Sequence, residues 1–244
     1  MALIRLGVTG TDTGVGKTTV SRALLHLLRA RGWLVEAMKP VETGVGPDMP
    51  MTDAHALRSA AASTAPAADV CPVILDEPLA PWMAARRAGR EIDITPLDTA
   101  FGRLAQRAQA IVVEGAGGAL VPLTRETDFL TLFHRWRLGV IIVAANRLGA
   151  INHTLLTVQA VRAAALPLYG VVLNDLAPDA PDVARATNAD ALRELLGDVP
   201  VVSFPWLAVP ADDACVARAA EQSELAALID AVPRTDPIQA ADSR

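Results

Sequence analysis

The residues Gly10-Thr-Asp-Thr-Gly-Val-Gly-Lys-Thr18 have the types and spacing to hold nucleotide phosphates. They follow a short apolar run and precede a helical pattern, the strand, loop and helix context that a phosphate-binding loop requires. Gly14 and Gly16 let the backbone approach the ligand, and N–H groups at the helix start converge on it with the positive end of the helix dipole. Thr13, Gly14, Val15, Gly16, Lys17, Thr18 and Thr19 are therefore candidate ATP contacts. The Lys17 ammonium suits the β- and γ-phosphates, and the Thr18 hydroxyl suits Mg²⁺. The loop departs from the simple pattern because five residues, not four, separate Gly10 from Gly16, with Thr11 in place of the first glycine. A second candidate is Glu114 in Ile-Val-Val-Glu-Gly-Ala-Gly-Gly118. A carboxylate at the tip of a buried strand belongs near the metal or its water shell.

Of the 22 basic residues only two, Lys17 and Lys39, are lysines, and the rest are arginines. Lysine offers a compact point charge and arginine a planar fork, so a site placing one charge against phosphate oxygens cannot exchange them freely. Both lysines lie inside motifs.

The elements that must position these groups are legible from periodicity. Continuous apolar runs near Ile4–Thr9, Leu34–Met38, Ala110–Glu114, Gly139–Ala145, Leu168–Leu173 and Val199–Ser203 read as strands buried on both faces. Helices are expected at Lys17–Arg31, Asp53–Ala62, Pro81–Ala88, Pro96–Gln109, Asp128–Arg137, Asn152–Ala165, Asp182–Leu196 and Ser223–Val232. Val20, Leu24, Leu27 and Leu28 share a stripe in the first, and Gly32 stops it. The alternation predicts an α/β fold, doubly wound, with a mostly parallel sheet flanked by helices, and the phosphate loop makes it of the P-loop NTPase type. Residues 44–52, with two glycines and two prolines, read as a loop. Residues 1–232 read as one domain and 233–244 as a polar, frayed tail.

The 244 residues are 52% hydrophobic, which excludes a disordered chain, and no apolar run is long enough to span a membrane. The start of the sequence lacks the features of a secretory signal, so a cytoplasmic protein is expected. Cys71 and Cys215 show no ligand or disulfide spacing, and the four histidines show no metal spacing. A net charge of −5 argues against sequence-independent nucleic-acid binding. A guanine-selective protein would offer N-K-x-D after a buried strand, whereas Asn146-Arg-Leu-Gly149 ends without a carboxylate, so ATP is expected. The alternative is a regulatory or partitioning ATPase acting through a protein partner. Such proteins carry a second lysine five residues before the main one, where this chain has Asp12.

The combination of GTDTGVGKT (10–18), Lys39-Pro-Val-Glu-Thr-Gly44, Thr52-Asp-Ala54, Val113-Glu-Gly-Ala-Gly-Gly118, Leu148-Gly-Ala-Ile-Asn-His153, Asn174-Asp175 and Phe204-Pro-Trp-Leu207 resembles the dethiobiotin synthetase family. The resemblance runs from about residue 4 to residue 207, in order and at similar spacing. It implies closure of a ureido ring on 7,8-diaminononanoate with CO₂ and MgATP, through a carbamate and a carbamic-phosphoric anhydride, as a step of biotin biosynthesis. A corrin-type amide ligase shares this core but would carry a glutamine-hydrolysing domain, for which this chain has no nucleophilic Cys/His arrangement.

The resemblance assigns Lys39 and Lys17 to catalysis, Thr18, Asp53 and Glu114 to the metal, and Thr43 and Gly117 to the diamine. It places Gly149, Ile151 and Asn152 of a partner subunit on the substrate carboxylate, implying a homodimer with shared sites, and Asn174 and Pro205 at adenine. Plainer readings remain for several: a strand-end lysine for Lys39, helix caps for Asp53 and Asn152, and a strand-end amide satisfying its own loop for Asn174. Two departures stand out, the first near the diamine and the second near the ribose. Ala80 and Trp82 stand where the family often has serine and histidine, and Val209 stands where it frequently has an acid.

Overall fold

The computed structural model describes residues 3–46, 52–178, 182–208 and 211–233. The core of the expected loop (residues 47–51), Val209 and the tail from residue 234 lie outside the described residues. In chain order the elements are β1 (Ile4–Gly10), α1 (Lys17–Ala30), β2 (Val35–Met38), β3 (Val41–Thr43), α2 (Asp53–Ala60), α3 (Ala67–Val70), β4 (Val73–Leu75), α4 (Pro81–Arg87), α5 (Ile94–Arg107), β5 (Ala110–Gly118), α6 (Phe129–Arg135), β6 (Gly139–Ala145), α7 (Ala150–Ala163), β7 (Leu168–Asn174), α8 (Val183–Leu196), β8 (Val201–Phe204), α9 (Asp213–Gln222) and α10 (Leu225–Asp230).

Six strands form one sheet in the order β2-β5-β1-β6-β7-β8, and each adjacent pair is parallel. Alternate side chains of each strand enter opposite cores, which explains why the strands read as continuous apolar runs. Leu6 and Val8 pack with α1, α2, α9 and α10, whereas Ile111, Val113, Val140 and Ile142 pack with α4 to α8. The sheet order reverses around β1, so the carboxyl ends of β1, β5 and β6 open a crevice where α/β proteins bind ligands.

Three expectations need correction. β5 does not end at Glu114 but continues to Gly118, where it pairs with Gly10 after an irregularity. Glu114 therefore lies inside a strand, with a side chain that is 0% exposed, and is no strand tip. The pair β3 and β4, and the helices α3 and α9, were not expected. β3 and β4 are three residues each, and α3 four, too short for a period to show. Helix α7 starts at Ala150 with Gly149 as its left-handed cap (φ 93°), so Asn152 is not the cap.

Candidate active site

The phosphate loop, the starts of α1 and α2, β3 and the end of β5 meet at the carboxyl edge of the sheet. The phosphate loop leaves β1 at Gly10 and enters α1 through Gly16, at φ 88°. Only glycine fits there, because a Cβ on Gly16 would sit 2.0 Å from Asn174 Nδ2. Asn174, at the end of β7, donates from that nitrogen to Val15 O at 3.0 Å and so holds the loop from behind. Its amide serves the loop of another element rather than its own.

A cavity of about 310 Å³ is lined by the loop residues Thr13, Gly14, Gly16, Lys17, Thr18 and Thr19, by Lys39, Glu42, Thr43 and Asp53, and by Ala116 and Gly117. Val15 is buried beneath the loop and does not line it. The polar core of the site is a chain of contacts. Lys39 Nζ lies 2.8 Å from Asp53 Oδ2 and 2.6 Å from Glu114 Oε1, and Thr18 Oγ1 donates to the same Glu114 oxygen at 2.9 Å. Lys39 is thus a buried bridge between two carboxylates and not a surface lysine. Asp53 is not the helix cap either: Thr52 caps α2 by accepting from His55 N–H, and Asp53 turns its carboxylate to Lys39.

Electrostatics follow from burial and these partners. Burial acts to lower the Lys39 ammonium, but the Glu114 and Asp53 carboxylates outweigh it and hold it above the ordinary lysine range. For Asp53 burial acts upward and the Lys39 charge prevails, leaving the carboxyl below its ordinary value. Lys17 has weaker support, since its ammonium donates to Asp12 O at 3.1 Å. Burial lowers it to about 8, with the Lys39 charge acting the same way against the pull of Glu114 and Asp53.

Glu114 Oε2 is buried with no hydrogen-bond partner in the protein. An orphaned buried carboxylate oxygen beside a threonine hydroxyl and a second carboxylate is the hard-oxygen donor set that suits Mg²⁺. Among the described residues no group of three or more His, Cys, Asp or Glu is assembled for a metal, so phosphate oxygens and water would complete the shell.

Glu42 escaped the sequence reading. Its two oxygens accept from Asp53 N–H at 2.6 Å and Ala54 N–H at 3.1 Å, satisfying the first donors of α2 from a neighbouring strand. Burial pushes its carboxyl up, against the pull of those N–H groups. Its position inside Lys39-Pro-Val-Glu-Thr-Gly44 offered no spacing signal for a cap eleven residues away.

The remaining candidates fall elsewhere. Pro205 lines a second cavity of about 520 Å³ with Asp175, Phe204, Leu207 and the α9 residues Cys215, Arg218 and Ala219. Asn174 and Asp175 connect the two regions, one touching the phosphate loop and the other lining this cavity. Gly149, Ile151 and Asn152, at the start of α7, line neither. Trp82 also lies outside the phosphate cavity, beneath the Arg86 guanidinium at 5.2 Å.

Comparison with known proteins identifies the family of the chain. The AAA domain family matches residues 5–208. The ATP-dependent dethiobiotin synthetase BioD of Anaeromyxobacter dehalogenans is 43% identical over 201 residues, covering 82% of this chain and 89% of that protein. The proteins of the same name from Nitrosospira multiformis and Ralstonia nicotianae are 46% identical (70% of this chain, 76% of that protein) and 38% identical (83% and 89%). Among solved structures, the septum site-determining protein MinD of Pyrococcus horikoshii, complexed with Mg-ADP, superposes with a TM-score of 0.52 at 18% identity, over 90% of this chain and 95% of that one. The cell division ATPase MinD of Pyrococcus furiosus gives 0.51 at 18% identity, over 89% and 97%. These distant structures share the fold alone. The chain belongs to the ATP-dependent dethiobiotin synthetase family and is an ATP-dependent ligase.

Proposed function

We propose that this chain carboxylates 7,8-diaminononanoate with CO₂ and closes the ureido ring using ATP, yielding dethiobiotin, ADP and phosphate in biotin biosynthesis. The observation that carries the reading is Lys39, a buried ammonium held between Asp53 and Glu114 in the cavity that the phosphate loop lines. One amine takes up CO₂ to form a carbamate. A carbamate oxygen then attacks the γ-phosphorus, ADP leaves, and the second amine closes the ring on the mixed anhydride as phosphate departs. Carbamate and γ-phosphate are both anions, so the protein's task is positioning and charge neutralisation.

Lys39 and Lys17 supply the two positive charges of the cavity, and Lys39 spans the carbamate and γ-phosphate positions. Thr43 and Gly117, which line the same cavity, face the diamine. Thr18, Asp53 and Glu114 would hold Mg²⁺, which when bound neutralises phosphate charge. Asn174 and Pro205 belong to the nucleoside side, where the second cavity has the apolar wall a base requires.

The same reading makes the enzyme a cytoplasmic homodimer in which residues 1–232 act as one domain. Leu148, two residues before α7, and Leu156, in its second turn, are 86% and 57% exposed. Apolar side chains left in water on this helix and just before its N-terminus support a partner's site being completed by Gly149, Ile151 and Asn152. Mixing an inactive Lys39→Met protein with an Asn152→Ala protein then restores activity that neither has alone.

The deciding experiment measures phosphate release from MgATP with diamine and bicarbonate supplied together, singly and not at all. Release that needs both, with one dethiobiotin formed per ADP, is expected. Turnover indifferent to the diamine would sink the reading.

A further inference from the structure

A second web of charge lies behind the phosphate cavity, where no motif pointed. Asp213, the first residue of α9, gathers side chains from two other helices. Its Oδ1 accepts from Arg22 Nη2 at 2.7 Å and Arg22 Nε at 3.2 Å, and His26 Nε2 lies 3.3 Å from the same oxygen. Its Oδ2 accepts from Ser59 Oγ at 2.8 Å. Arg22 Nη2 also donates to Ala211 O at 2.9 Å, fixing the chain just before the helix.

The positions of these partners give the web its meaning. Arg22 and His26 lie one turn apart on α1, whose first residues are Lys17 and Thr18. Ser59 lies on α2, whose first residue is Asp53. From α9 itself, Cys215, Arg218, Ala219 and Gln222 line the second cavity opposite Pro205. One carboxylate thereby ties a wall of that cavity to both helices whose starts form the phosphate cavity. ATP must reach from one cavity to the other, and a ligand gripped at two places binds well only when their separation is set in advance.

We propose that Asp213 is a positioning residue for the nucleotide, holding α9 at the distance from α1 and α2 that lets the nucleoside and phosphate ends bind together. The proposal rests on the reading that the second cavity receives the nucleoside. Asp213 touches no phosphate site, so its loss weakens ligands that span both cavities and spares a ligand that fills only one.

Inorganic tripolyphosphate is such a ligand, and calorimetry with MgATP and Mg-tripolyphosphate separates the possibilities. Asp213→Asn keeps the size and one acceptor but loses the charge that pairs with Arg22. It is expected to weaken MgATP about tenfold, a modest part of the total affinity. Tripolyphosphate binding and kcat stay within about twofold, while KM for ATP rises with the binding constant. Asp213→Glu, which keeps the charge, recovers part of the affinity. Equal weakening of both ligands would reduce Asp213 to a prop for α1 and overturn the proposal, as would unchanged MgATP binding.

The underlying reading has its own control in the wild-type protein. Cys215 lines the second cavity and is partly exposed, whereas Cys71 is buried with its thiol pushed up to about 12. MgATP is expected to shield Cys215 from N-ethylmaleimide, and tripolyphosphate is not. No shielding by MgATP removes the nucleoside reading and the proposal with it. Shielding combined with normal MgATP affinity in Asp213→Asn overturns the positioning role alone.

Discussion

The phosphate cavity and the second cavity share the carboxyl edge of one sheet and are built by different physics. The first is small, about 310 Å³, and dense in charge, with Lys17, Lys39, Asp53 and Glu42 along its wall. Half of its lining comes from the single stretch between Thr13 and Thr19. The second, about 520 Å³, takes its wall from the residue after β7, the end of β8 with the chain that follows it, and α9. Phosphate binding depends on fixed dipoles and charges that a short loop can supply. A base-sized apolar wall requires area, and area comes from docking one element on another.

The contrast makes the phosphate cavity brittle and the second one tolerant, and substitutions can break that claim. The largest effect is expected at Lys39. Lys39→Met leaves Glu114, fully buried, without its ion partner, at a cost of about 3–5 kcal/mol in unfolding free energy measured by denaturant titration. ADP formation should fall by ~10²–10³-fold. Lys39→Arg retains charge but not shape, and is expected to lose most turnover while ATP still binds. Near-normal turnover in either variant would mean that the chemistry lies outside this cavity.

Gly16→Ala comes next, because the new methyl group would meet Asn174 Nδ2 at 2.0 Å in a left-handed backbone. The left-handed conformation alone costs roughly 1–2 kcal/mol, and the clash pushes Asn174 off Val15 O. ATP and tripolyphosphate should both weaken, in contrast to Asp213→Asn, where only ATP does. Glu114→Gln tests the orphaned oxygen more gently. The Mg²⁺ concentration for half-maximal activity should rise ~10-fold or more, and an unchanged titration would remove Glu114 from the metal shell.

The smallest expected effect is on acid stability. Burial would raise the Asp213 carboxyl, but Arg22 and Ser59 hold it below the ordinary carboxylate value. A carboxyl whose folded value is depressed contributes stability above its unfolded value of about 3.9 and loses it as pH falls through the folded one. The Tm gap between wild type and Asp213→Asn should therefore be present near neutrality and close under strong acid. A gap independent of pH would show that the carboxylate charge is not what ties α9 down.

Much of the phosphate end is legible in the sequence. Lys17, Thr18, Lys39, Asp53 and Glu114 were all singled out, and all five meet at or beneath one cavity. Glycine-rich loops are readable because φ and close approach restrict the residue type locally. Glu42 was not readable, since any acid on β3 could cap α2 only after the two elements had been brought together. The web of Arg22, His26, Ser59 and Asp213 was equally hidden, because arginine and aspartate on helix surfaces are ordinary in any soluble chain.

The amino-acid sequence by itself determined the alternation of buried strands and helices, the phosphate loop and the identities of the charged groups, because periodicity and backbone restrictions act over a few residues. Only the tertiary structure decided that Lys39 bridges Asp53 and Glu114, that Glu114 lies within a strand and not at its end, and that α9 walls a second cavity. Those facts depend on contacts between segments far apart in the chain, and their energy arises from burial and charge pairing that no local pattern records.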